Sequence, residues 1–113
     1  MMQPADKALS ELATIIRSKN AGPYLITFDV LFKDRQTYQL VCESEALTAS
    51  TVAAAFHIPR SRVSSFFHVP MANAIKVTIR RSTVQGAVGD SDVYGCQQHV
   101  PLMQMRIPMR KKA

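Results

Sequence analysis

The sequence predicts an α+β fold: a small, mostly antiparallel sheet of three to four strands with two to three helices packed on it. Three observations carry this. Apolar residues alternate at a period of two over Tyr24 to Phe32 and again over Ala74 to Arg80. Asp34 and Thr48 stand as helix caps before apolar residues at helical spacing. The turn Val69-Pro70-Met71-Ala72-Asn73 is short enough to fold Arg62 to His68 back on Ala74 to Arg80 as an antiparallel hairpin. A length of 113 residues fits a single domain. Its ordered core is expected over about 6–107, with 108–113 as a basic, solvated tail.

Taken in order, Asp6 to Ser18 reads as an amphipathic helix. Leu9, Leu12, Ala13 and Ile16 fall at i, i+3, i+4 and i+7, Asp6 is placed to cap, and Asn20-Ala21-Gly22-Pro23 supplies a stop. Tyr24 to Phe32 follows as a strand, with Tyr24, Ile26, Phe28, Val30 and Phe32 on one face and Thr27 and Asp29 on the other, beside Leu25 and Leu31. Asp34 then opens a short helix to about Cys42. Thr48 opens another to His57, with Val52, Ala53 and Phe56 inward and Ile58-Pro59 ending it. After the hairpin and a polar, glycine-punctuated stretch from Ser82 to Gln98, Leu102 to Ile107 reads as a last short strand. The strand order does not follow from this pattern.

The net charge of +6 is unevenly distributed. Residues 1–56 hold five Lys/Arg against six acids, whereas residues 57–113 hold nine Lys/Arg against only Asp90 and Asp92. Such a half attracts an anionic substrate, an acidic protein surface or nucleic acid. Aromatic residues do not interleave the cations as a single-strand stacking platform requires, so no nucleic-acid partner is expected. No apolar run approaches the roughly 20 residues that span a bilayer, so no membrane partner is expected either. The N-terminus shows no basic, then apolar, signal segment. Cys42 and Cys96 are far apart with no CxxC spacing, which fits reduced thiols and a cytoplasmic location.

The densest chemistry lies in Gly89 to Pro101, where Asp90, Asp92, Tyr94, Cys96, Gln97, Gln98 and His99 crowd between glycines and a proline. Asp residues cap turns locally, but a phenol, two long amides and an imidazole call for partners when ordered. Asp92 and His99 are the candidate acid/base groups, with Lys76 beside them if the strand lies close. Asp90, Tyr94, Gln97 and Gln98 are candidate substrate-binding residues. A second cluster, Arg17, Ser18, Lys19 and Asn20, reads either as cations complementing a helix C-terminus or as an anion site. Asn73 and Lys76 enter the third strand together, Lys76 being either a solvated lysine or a further anion contact. With three histidines and no HxH or HxxxH spacing, no metal site is assigned. No GxSxG, P-loop or GxGxxG motif is present, and the cofactor stays unknown.

Arg17-Ser-Lys-Asn-Ala-Gly-Pro23, Ala74-Ile-Lys-Val-Thr-Ile79 and Gly89-Asp-Ser-Asp-Val-Tyr-Gly-Cys-Gln-Gln-His-Val-Pro-Leu102 together resemble a small bacterial and fungal family of unknown function. In that family the domain occurs either as a separate short protein or fused behind an acyclic-terpene-utilisation-like (AtuA-like) protein. The resemblance covers about residues 8–107. Cys96 stands where such proteins often have alanine, which argues against a catalytic thiol. The resemblance implies a partner, a larger AtuA-like subunit on which the free domain docks, with higher oligomers forming through that subunit. It also associates the chain with catabolism of carboxylic acids or their CoA thioesters. The expected function is therefore a small subunit contributing a polar loop to a shared active site for a small anionic substrate. A self-sufficient acid/base enzyme and a basic, non-catalytic binding module are the alternatives.

Overall fold

The segment from Leu25 to Phe32 organises the chain. In the computed structural model, which describes residues 6–81 and 100–108, it is strand β3. Ile26, Phe28, Val30 and Phe32 point to one side of it and are all buried. Numbered in chain order, the elements are β1 (Lys7–Ala8), α1 (Leu9–Leu12), β2 (Ala13–Asn20), β3, α2 (Arg35–Ser44), α3 (Ala49–Ala55), β4 (Val63–Val69), β5 (Ala74–Arg80), α4 (Val100–Met103) and β6 (Arg106–Ile107). The main sheet has four strands in the order β2-β3-β5-β4, each pair antiparallel, and β1 pairs with β6 in a separate two-stranded ladder. The expected α+β class is the one observed.

Both expected caps form. The Asp34 carboxylate accepts a hydrogen bond from the Thr37 N–H at 2.8 Å, and the Thr48 hydroxyl accepts from the Thr51 N–H at 3.1 Å. The hairpin of β4 and β5 closes through a single helical turn, Pro70–Ala72. Asn73 follows in the left-handed conformation at φ 49°, which asparagine adopts more readily than most residues. Its carbonyl accepts from the Phe32 N–H at 2.9 Å, fastening the hairpin to the end of β3.

The helix expected over Asp6 to Ser18 is corrected. Only Leu9–Leu12 is helical, and Ala13–Asn20 is an edge strand paired with β3. The spacing of Leu9, Leu12, Ala13 and Ile16 satisfies a helix, but Thr14, Ile15 and Ile16 are β-branched, and the edge of β3 supplies a full ladder of partners. Asn20 to Pro23 is accordingly no helix stop. Ala21 N–H donates to the Leu25 carbonyl at 3.0 Å, and Gly22 adopts φ 128°, so the segment is the hairpin turn between β2 and β3. Nor does Asp6 cap a helix: Ala8 holds that position, its N–H donating to Glu11 Oε2 at 2.7 Å.

The strand expected over Leu102 to Ile107 is also corrected. Val100–Met103 is one helical turn, with Pro101 in it where a missing N–H costs nothing, and only Arg106–Ile107 is extended. Leu102 and Ile107 are both fully buried, which a continuous strand buried on one face only would not allow.

Helices α2 and α3 cover one face of the sheet. Phe28 meets Phe56 with ring centroids 5.2 Å apart, and Phe32 meets Tyr38 at 6.3 Å. Val41, Val52, Ala53, Ile75, Val77 and Ile79 complete this core, and Leu9, Leu102 and Ile107 join it from the chain ends. Two phenylalanines test the assignment of faces. Phe28→Ala is expected to cost about 3–5 kcal/mol in urea denaturation, the range for deleting a buried ring. Phe67→Ala, on the opposite face, should stay within about 0.5 kcal/mol.

Candidate functional site

The pairing registers assemble a row of side chains across the sheet, on the side away from α2 and α3. Arg17 stands opposite Asp29, Asp29 opposite Lys76, and Lys76 opposite Phe67. The adjoining row on the same face runs Lys19, Thr27, Thr78, Ser65. Strands are roughly 4.8 Å apart, so the backbones of Arg17 and Lys76 are separated by about 10 Å with Asp29 between them.

Asp29 is the pivot of this surface. Arg17 Nε lies 3.4 Å from Asp29 Oδ2, and the carboxylate is only 14% exposed while the guanidinium side is 62% exposed. An ion pair this open contributes less than about 1 kcal/mol, so its effect is to orient Arg17 rather than to hold the fold. One strand-width on, the Thr27 and Thr78 hydroxyls lie 3.0 Å apart, and the buried Thr27 thereby satisfies its polar group. Lys19, Lys76 and Arg80 extend into solvent from the same face. Apolar groups break this polar surface: Phe67 is 57% and Ile15 46% exposed.

A second feature adjoins it. The outer side of β4 forms a groove of about 360 Å³ with the end of α2 and the start of α3, lined by Cys42, Glu45, Leu47, Thr48, Phe66, Phe67 and His68. Tyr38 stacks edge-on against His68 there, with centroids 6.4 Å apart. Burial pushes the Cys42 thiol above its ordinary range, and a hydrogen bond from the Tyr38 hydroxyl offsets part of that. Tyr38 is itself raised, first by burial and then by this bond. A thiol disfavoured as thiolate is a poor nucleophile.

The sheet brings together three of the residues expected to act on a substrate: Arg17, Lys19 and Lys76. It separates Ser18 and Asn20 from them, because alternate residues of a strand point to opposite faces. The reading of Arg17 and Lys19 as cations at a helix end falls with the helix. Asn73 sits at the turn beyond β4, where its backbone fastens the hairpin. Asp90, Asp92, Tyr94, Gln97, Gln98 and His99 lie outside the described residues. The sequence pattern alone assigns no role to Asp29, Thr78 and Phe67, or to the buried Thr27 beside them, which the registers place on this face. The available signal was a carboxylate set inside an otherwise apolar strand. Among the described residues, no group of three or more His, Cys, Asp or Glu is arranged to hold a metal ion, and no helix is long and apolar enough to cross a membrane.

A family model described as Domain of unknown function (DUF4387) matches residues 9–106. The chain belongs to this family. The match takes in every strand of the main sheet, so the row from Arg17 to Phe67 lies wholly within the shared domain. No curated protein and no solved structure matches the chain.

The raised thiol gives a test by pH. Because Cys42 and Tyr38 are both harder to ionise folded than unfolded, the stability they contribute is complete below their unfolded pKa values. It is lost as pH rises from there through the folded values. In a Cys96→Ser background, Cys42 should react with a thiol reagent only at pH above the ordinary thiol range, and stability should fall over that interval. Thiol reactivity near neutral pH would contradict the placement of Cys42.

Proposed function

We propose that the chain is the small subunit of a two-component metabolic enzyme, docking on an AtuA-like large subunit and closing a shared active site. The observation that carries the reading is the open face of the sheet. Among the described residues the helices lie on one side, and the other presents Arg17, Asp29 and Lys76 beside exposed Phe67 and Ile15. A sheet face mixing charge with exposed aromatic and aliphatic groups suits a protein partner.

In this reading Gly89 to Pro101 supplies the polar groups of the shared site. Asp92 or His99 orients or protonates the substrate, and Asp90, Tyr94, Gln97 and Gln98 bind it. The substrates are carboxylic acids or their CoA thioesters, and the complex works in the cytoplasm. No cofactor is assigned.

Co-expression with an AtuA-like protein provides the test. A stoichiometric complex is expected on purification, with mass measurement fixing the ratio. Within that complex Asp92→Asn and His99→Ala should each lower turnover by about 10²-fold or more, with melting temperature and association unchanged. Failure to form a complex, or normal turnover in both variants, overturns the reading.

A further inference from the structure

The distribution of charge over the two sides of the sheet names the chemistry of the surface that docks. Six acids lie within the described residues, and five of them, Asp6, Glu11, Asp34, Glu43 and Glu45, belong to α1, α2 and the segments flanking them. Only Asp29 stands on the open face, against Arg17, Lys19, Lys76 and Arg80. Lys33 and Arg35, by contrast, flank Asp34 at the start of α2, and the Arg35 guanidinium rests 5.8 Å above the Tyr38 ring. Among the described residues no ion pair engages Lys19, Lys76 or Arg80, and Arg17 contacts Asp29 through Nε while its side chain stays 62% exposed.

We propose that the open sheet face binds an acidic protein surface, with partner carboxylates on Arg17, Lys19, Lys76 and Arg80 and a partner apolar group against Phe67 and Ile15. The inference rests on the docking reading above and adds the chemistry of the partner. Two observations favour a protein over a nucleic acid. Phe67 is the one aromatic among the residues paired across this face, the other apolar positions being aliphatic Ile15, Leu25, Leu31, Val69 and Ala74, so successive bases find no stacking ladder. Asp29 also stands between Arg17 and Lys76, where it repels a continuous phosphate backbone but accepts a donor from a protein surface of mixed charge.

The inference is tested on the isolated full chain by amide-resolved NMR titration at physiological salt. The probes are poly-L-glutamate and poly-uridylate RNA matched in total charge. Poly-L-glutamate is expected to shift Arg17, Lys19, Phe67, Lys76 and Thr78 and to leave α2 and α3 unmoved. The pair Lys19→Glu and Lys76→Glu should weaken it at least tenfold, whereas Lys33→Glu with Arg35→Glu should change affinity less than twofold. Tighter binding of poly-uridylate at the open face, no shift there with poly-L-glutamate, or equal weakening by both pairs overturns the inference. If poly-L-glutamate binds as expected while no complex forms with an AtuA-like protein, the two-component reading fails and the acidic-partner inference stands.

Discussion

The rest of the fold depends on the burial of one side of β3. Phe28, Val30 and their neighbours Ile26 and Phe32 are removed from water against α2 and α3, and each such side chain stabilises the fold by about 1.5–3 kcal/mol. Because the side-chain period of a strand is two, burying that set leaves no freedom for Leu25, Thr27, Asp29 and Leu31, which must face the other way. A slip of one residue would bring Asp29 into the core. The register that holds the core together therefore also fixes where the carboxylate stands, and the strands on either side bring Arg17 and Lys76 to it.

The two edges of the sheet are unequal. On β2, Arg17 and Lys19 place cations along the outer strand, a common protection against unwanted pairing. From Val63 to Val69, β4 carries no Lys, Arg, Asp or Glu and borders the groove lined by Cys42, Leu47 and Phe66. Phe67 belongs both to that groove and to the open face, so the two features form one continuous surface. An aromatic at such a junction is where a binding surface gains most from excluding water.

Much of this architecture was visible in the sequence. Asp34 and Thr48 marked their helices because a cap acts locally, and β3, β4 and β5 showed themselves by alternation and by the short Val69 to Asn73 turn. The segment after Leu12 misleads because Leu9, Leu12, Ala13 and Ile16 satisfy helical spacing, while what decides the outcome is a ladder with the residues of β3, from Ile26 to Phe32. The same limit hid the surface. Arg17, Asp29, Lys76 and Phe67 come from four strands, and only the registers make them neighbours. Local crowding points instead to Gly89 to Pro101, whose acid/base residues lie outside the described residues.

Lysine acetylation footprinting, read by mass spectrometry, tests the central claim that the open sheet face is the working surface of the domain. The chain is labelled alone and in complex with an AtuA-like subunit, and the rates at Lys19 and Lys76 are compared with those at Lys7 and Lys33. Slowing confined to Lys19 and Lys76 is the result expected for docking through the open face. Slowing at Lys33 with Lys19 and Lys76 unchanged would place the partner on the helical side and contradict it.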